Sequence, residues 1–277
     1  MAEQKIIAFS GRKQAGKNTC ANFMIGFEMK ATGLVRGNWS LNTDGTIQID
    51  DIWGNTDHAG RFDPQNKAPE AIKFMNEFLF PYIKTYSFAD LLKQNVCIDL
   101  YGLTEAQCYG SNEDKDTYTQ VKWDGFADLG ILPPEYIDNT NAVKRESRFM
   151  TAREVMQIVG TDILRKTYPD VWVDATIRRI KQENSLIAVI TDCRFPNEVM
   201  GVKEAGGRVV RLTRAPFAKE KNQHRSETAL DRQYFDWSEF DSVLGNEKMD
   251  IPQQNEALLS LLDMWDYYKV PEEASTE

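Results

Sequence analysis

The chain has little of what several protein classes depend on. Its 277 residues include four cysteines and two histidines. Cys20, Cys97, Cys108 and Cys193 form no Cys-x-x-Cys pair, and neither His58 nor His224 lies close to one of them. That spacing argues against a zinc site and against a disulfide framework, and predicts reduced, mostly buried thiols. No apolar run approaches the roughly 20 residues of a membrane-spanning helix. Met1–Phe9 lacks the basic flank and long apolar stretch of a secretory signal. Positive charge is also short: 33 Lys and Arg stand against 42 Asp and Glu, a formal net charge of −9. That balance argues against polymeric nucleic acid as a partner. It leaves room for a small phosphorylated ligand, which needs only a local cluster of cations. The expected setting is the cytoplasm, with no membrane partner.

Hydrophobic residues make up 42% of the chain, enough for a packed core. Lys5–Phe9 is a short apolar run that reads as a buried parallel strand, and Thr19–Lys30 carries apolar residues at helical spacing. Further strands are expected at Tyr82–Tyr86, Leu186–Thr191, Arg208–Leu212 and Ser242–Leu244, with helices between them. Thr151 and Glu154 have the spacing of a capping box opening a helix to Lys166. Alternating strands and helices predict an α/β fold, a parallel sheet of about five strands flanked by helices. Two stretches break the pattern. Residues 31–80 read as an insertion containing a hairpin, and 102–150 as a polar, irregular excursion. These two are expected to be insertions or the acceptor-binding region of a single domain over 1–270. Residues 214–240 suit a lid, and 271–277 an acidic tail.

Between the first strand and the first helix stands Gly11-Arg12-Lys13-Gln14-Ala15-Gly16-Lys17. It fits G-x-x-x-x-G-K in the strand–turn–helix context the motif requires. Glycines allow the tight turn that points successive N–H groups, among them those of Lys13, Ala15 and Gly16, into one concavity, and the helix N-terminus adds partial positive charge. Lys17 would reach the β- and γ-phosphates of a nucleoside triphosphate and neutralise charge during transfer. The next position, usually Ser or Thr on Mg²⁺, is Asn18, with Thr19 after it. Asn18 would act through its carbonyl oxygen or a water, and Thr19 near the α-phosphate.

The ending G-K-N-T resembles nucleoside monophosphate kinases. Several blocks narrow the likeness to the bacteriophage deoxynucleoside monophosphate kinase family: Ser87-Phe88-Ala89-Asp90-Leu91-Leu92-Lys93, Thr151–Asp162, Trp172-Val173-Asp174, Thr191-Asp192-Cys193-Arg194-Phe195-Pro196-Asn197-Glu198 and His224-Arg225-Ser226-Glu227. The resemblance implies a P-loop kinase fold. It also implies ATP–Mg²⁺ as donor and deoxynucleoside monophosphates as acceptors, in a host cytoplasm if the chain is phage-encoded. A homodimer is typical of the resembled family.

Asp192, past the strongest strand, would hold Mg²⁺ through water or cap the next helix. Arg194 offers a planar fork for phosphate or a base edge. Arg153, a cation in the first turn of its helix, would bind the acceptor phosphate by resemblance. Arg214 and Arg225 would close on the transferred group, or be solvated lid charges. Asp90 and Lys93 would line the acceptor pocket or a helix's polar face, and Gln157 and Asp162 contact a base only by resemblance. Trp172 reads as core, and His224 as lid surface rather than a general base. The rival readings are a kinase for another small phosphorylated molecule and a non-catalytic nucleotide-binding module.

Overall fold

The computed structural model describes residues 3–132, 136, 137, 143, 147–217 and 225–268, and the backbone alone for Arg225 and Ser226. It falls into two compact units, residues 1–86 with 177–277, and residues 87–176.

The first unit is built on the run that the sequence marks as its opening strand. β1 (Lys5–Ser10) is buried from Ile6 to Ser10. A strand apolar on both sides in this way belongs at the centre of a parallel sheet. α1 (Lys17–Ala31) follows directly. The chain then makes β2 (Trp39–Leu41), β3 (Ile47–Ile49), β4 (Gly60–Phe62), α2 (Pro69–Phe78) and β5 (Ile83–Tyr86). After the second unit come the end of α7 (Val171–Glu183), β8 (Ile187–Cys193), α8 (Pro196–Glu204), β9 (Arg208–Leu212), α9 (Arg225–Thr228), β10 (Ser242–Leu244) and α10 (Ile251–Met264). The five-stranded sheet runs β10-β9-β1-β8-β5, and every pairing in it is parallel. Ile7, Phe9, Val189 and Val210 join Met24, Ile25, Leu258 and Leu262 in one core cluster, which fastens α1 and α10 to the sheet. Burial of that face supplies most of the unit's cohesion, each large aliphatic side chain contributing about 1.5–3 kcal/mol.

The stretch expected as a hairpin is a three-stranded antiparallel sheet, β2-β3-β4. Its three-residue strands carry little alternation, β3 alone lying in a stretch, Thr46–Ile52, whose weak alternation reads as an edge strand. Trp39 of β2 packs on Gly26 of α1 so closely that a Cβ there would lie 2.2 Å from the indole.

The second unit has its own core, with Cys97, Trp123, Met150, Val155 and Ile158 fully or almost fully buried. The polar excursion contributes α3 (Glu105–Tyr109), α4 (Asn112–Lys115), β6 (Tyr118–Lys122) and α5 (Trp123–Asp128), and β6 pairs with β7 (Phe149–Thr151). Thr151 caps α6 (Ala152–Gln157) in the expected box: its hydroxyl accepts from Glu154 N–H at 3.3 Å, and its own N–H donates to the Glu154 carboxylate at 2.9 Å. The helices Leu92–Leu100 and Ile158–Arg165 are wound more loosely than an α-helix, in the π form. Gly160 lets them approach, since a Cβ there would meet Leu92 Cδ2 at 2.4 Å. Trp172 is buried, its indole N–H donating to the Gly160 carbonyl at 3.1 Å. None of the four cysteines is in a disulfide, and all are buried. Burial pushes the Cys20 and Cys97 thiols up to about 12, so neither is a reactive thiolate at neutral pH. Among the described residues no helix is long and apolar enough to cross a membrane.

Candidate active site

The loop between β1 and α1 has the backbone its sequence requires. Gly11 has φ +156°, Gln14 φ +58° and Gly16 φ +101°. A side chain at Gly16 would also strike the Gln254 amide, with Cβ 2.8 Å from Oε1. The loop is braced from one side by residues far along the chain. Asn246, fully buried, donates to the Ala15 carbonyl at 2.8 Å and to Gln254 Oε1 at 2.6 Å. The Arg214 N–H donates to Asn246 Oδ1 at 2.8 Å, and its guanidinium donates to the carbonyls of Asn246 and Met249. Arg214 therefore sits beside the loop, on the β9–β10 side.

Lys17 is 8% exposed, and its ammonium donates to the Gly11 and Arg12 carbonyls at 2.7 and 2.9 Å. Burial, and next the Arg194 guanidinium, pull it down to about 8 from an ordinary 10.5, while Glu227 and Asp192 act in the opposite sense. Four residues far along the chain from Lys17 thus share one electrostatic environment with it: Asp192, Arg194, Arg211 and Glu227. Asp192 stands at the carboxyl end of β8. The Arg194 N–H and Phe195 N–H both donate to Glu198, at 2.6 and 3.0 Å, which fixes the turn from β8 into α8.

The stretch from α9 onward reaches the loop through acids. Glu227 on α9 accepts from the Lys13 backbone N–H at 2.7 Å and pairs with the Arg194 guanidinium. Asp231 pairs with Arg12 and, at 3.5 Å, with Arg211. Arg211 is 5% exposed and donates to the Ser10 hydroxyl at 3.0 Å. Its guanidinium lies 5.2 Å from the Trp237 ring centre. Arg12 and Glu227 fall within blocks quoted from the sequence but carry no role there, and Arg211, Asp231, Asn246 and Gln254 fall in none. No short-range pattern marks those four, because each meets the loop only through folding.

Of the expected site residues, Gly11, Lys13, Ala15, Gly16, Lys17, Asp192, Arg194 and Arg214 meet at this loop. Asn18 and Thr19 lie in the first turn of α1. A Cβ on Gly45 would be 2.5 Å from the Thr19 hydroxyl, so the β2–β3 turn lies against that turn of the helix. Asp90, Lys93, Arg153, Gln157 and Asp162 belong to the second unit. There Arg153 donates to Asp116 at 2.6 Å and to Asn112 Oδ1 at 3.2 Å. Lys93 sits 4.7 Å from the Tyr109 ring centre, and Asp162 pairs with Lys166 at 3.5 Å. The Arg225 side chain and His224 lie outside the described residues. No group of three or more metal-binding side chains converges among the described residues. Mg²⁺ at a phosphoryl-transfer site is commonly held by one or two side chains and the phosphates themselves, so Asn18 and Asp192 still suit it.

The sequence pattern of the deoxynucleotide monophosphate kinase family matches residues 83–249, more than half of the chain. The chain belongs to that family. The kinase is similar to a protein of Acanthamoeba polyphaga mimivirus that carries the deoxynucleotide monophosphate kinase name, with 29% identity over 156 residues, 52% of this chain and 67% of that protein. It is also similar to the deoxynucleoside-5′-monophosphate kinase of Escherichia phage T5, with 31% identity over 91 residues. That match spans 32% of this chain and only 36% of the phage protein. Membership favours the nucleotide kinase over a kinase for another small molecule and over a non-catalytic module. Gly11–Lys17 precedes the matched range, so the reading of that loop rests on its own sequence and geometry.

Proposed function

We propose that the protein transfers the γ-phosphoryl group of ATP to a deoxynucleoside monophosphate, giving the diphosphate. Lys17, buried in the glycine-rich turn and flanked by Asp192 and Arg194, carries this reading. Family membership supplies the acceptor class.

The residues divide the work. The N–H groups of the loop and the start of α1 receive the donor phosphates, and Lys17 neutralises charge building on the transferred group. Asn18 and Asp192 would hold Mg²⁺, which when bound offsets phosphate charge. Arg194 would help place the acceptor, and Arg214 would bind on the donor side. Arg153, with Asp90, Lys93, Gln157 and Asp162, holds the acceptor. Arg225 closes from the lid. The attacking acceptor phosphate oxygen is already anionic at neutral pH, so no strong general base is required, and catalysis comes from positioning and charge stabilisation. The surroundings would be a host cytoplasm, and the assembly a homodimer.

The test is diphosphate formation from ATP–Mg²⁺ and each common deoxynucleoside monophosphate. Wild type should turn over at least one of them, and Lys17→Ala should lose roughly a thousandfold or more in kcat with its melting curve intact. ATP binding without turnover on any acceptor would sink the proposal.

A further inference from the structure

On the β8–β5 side of the phosphate-binding loop lies a cleft of about 130 Å³. The opposite side is closed by buried Asn246 and Gln254. The cleft is lined on one wall by Asn18 and Asn22 of α1 and Thr191 of β8, and on the other by Arg61, Phe62 and Gln65. The second wall comes from Thr46, β4 and the turn after it, the Asp63 carboxylate included, within the 31–80 stretch that precedes the family's matched range.

The wall is fastened in place. Asn22 donates to the Gly45 carbonyl at 2.9 Å, and Gly45 itself lies against Thr19. Gln65 N–H donates to Asp63 at 2.9 Å, which shapes the turn beyond β4. Among the described residues the Arg61 guanidinium is held by one long contact with Asp44, 3.8 Å, and both side chains are more than half exposed. An exposed pair of that kind is worth little, so the guanidinium is available to an incoming anion or polar edge.

We infer that this cleft is a subsite for the acceptor nucleotide, with Arg61 and Gln65 of the insertion setting which nucleotide is accepted. The position points to the acceptor and not the donor. Asn18 and Thr191 put the cleft's inner wall beside Lys17 and Asp192, on the side of the loop that Asn246 and Gln254 leave open, where a second ligand can meet the phosphates the loop holds. The chemistry agrees. An aromatic face, amide groups and one guanidinium are the groups that recognise a base and its phosphate ester. The volume is of the order of one nucleobase, within the lower range for ligand sites once the open mouth is included. This inference rests on the proposed kinase reading.

Arg61→Ala and Gln65→Ala are compared with wild type by calorimetric binding of each deoxynucleoside monophosphate and by steady-state kinetics. Arg61→Ala should weaken acceptor binding and raise acceptor KM roughly tenfold, leaving ATP KM within about twofold. Gln65→Ala should change the ratio of kcat/KM between bases, which a purely structural role would not move. Both sites are at the surface of a short sheet, and matching melting curves confirm folding. Wild-type acceptor KM and base ratio in both variants would overturn the subsite and leave the kinase reading standing. Acceptor binding by wild type, weakened by Arg61→Ala but without turnover, would keep the subsite and sink the kinase reading.

Discussion

Glu227 accepts the Lys13 N–H that a phosphate-binding loop turns toward its ligand, and it pairs with Arg194 at the same time. A carboxylate there competes with a phosphate for the same donors. Glu227→Gln should therefore tighten ATP binding about three- to tenfold at pH 7, read as a dissociation constant; an unchanged or weaker constant would refute the competition. Lys17 carries a second expectation. Its ammonium titrates near 8 in the free protein because burial and Arg194 disfavour the charge. Bound phosphates favour the charge and push the value back up. ATP binding at about pH 8 should then take up protons, and affinity should fall as pH rises through 8. Calorimetry in buffers of different ionisation enthalpy measures the uptake, and none at pH 8 would contradict the assigned role. At this scale the loop residues and the Asp192–Arg194 pair were legible, since a motif and its strand context travel together in sequence. Asp231 and Asn246 were not, because each finds its loop partner more than 200 residues away.

The elements that hold the site are α1 and the insertion sheet packed on it. Gly26 stands in the middle of α1, where alanine would ordinarily be favoured by about 1 kcal/mol. The Trp39 ring occupies the space a Cβ would need. Gly26→Ala should thus destabilise the protein by about 1–3 kcal/mol, measured by chemical denaturation, and not stabilise it. A stabilised variant would mean that β2 is not seated on the helix. Strand and helix positions in the five-stranded sheet follow the sequence reading closely, because long apolar runs and capping residues signal them. The short strands β2 and β4 do not, and β3 shows only as a weak edge-strand alternation over Thr46–Ile52. Three residues carry too little alternation, and what sets them is contact with α1. The π winding of Leu92–Leu100 and Ile158–Arg165 was equally hidden, since their apolar spacing reads as ordinary helix.

For the molecule as a whole, the chain's own pattern determined the α/β class, the parallel sheet, the phosphate-binding loop and the kinase likeness. These depend on neighbours in sequence: an apolar strand, a glycine turn, a helix start. Only the tertiary structure decided how the site is finished. It brought Glu227 and Asp231 from α9 and the turn after it, and Asn246 and Gln254 from near α10, to the loop at Gly11–Lys17. It also turned an insertion of unassigned purpose into a wall with Arg61 and Gln65 beside Asn18. The physical reason is that hydrogen bonds and ion pairs between distant segments leave no periodicity in sequence. They exist only once burial of the sheet's apolar face has drawn the segments together.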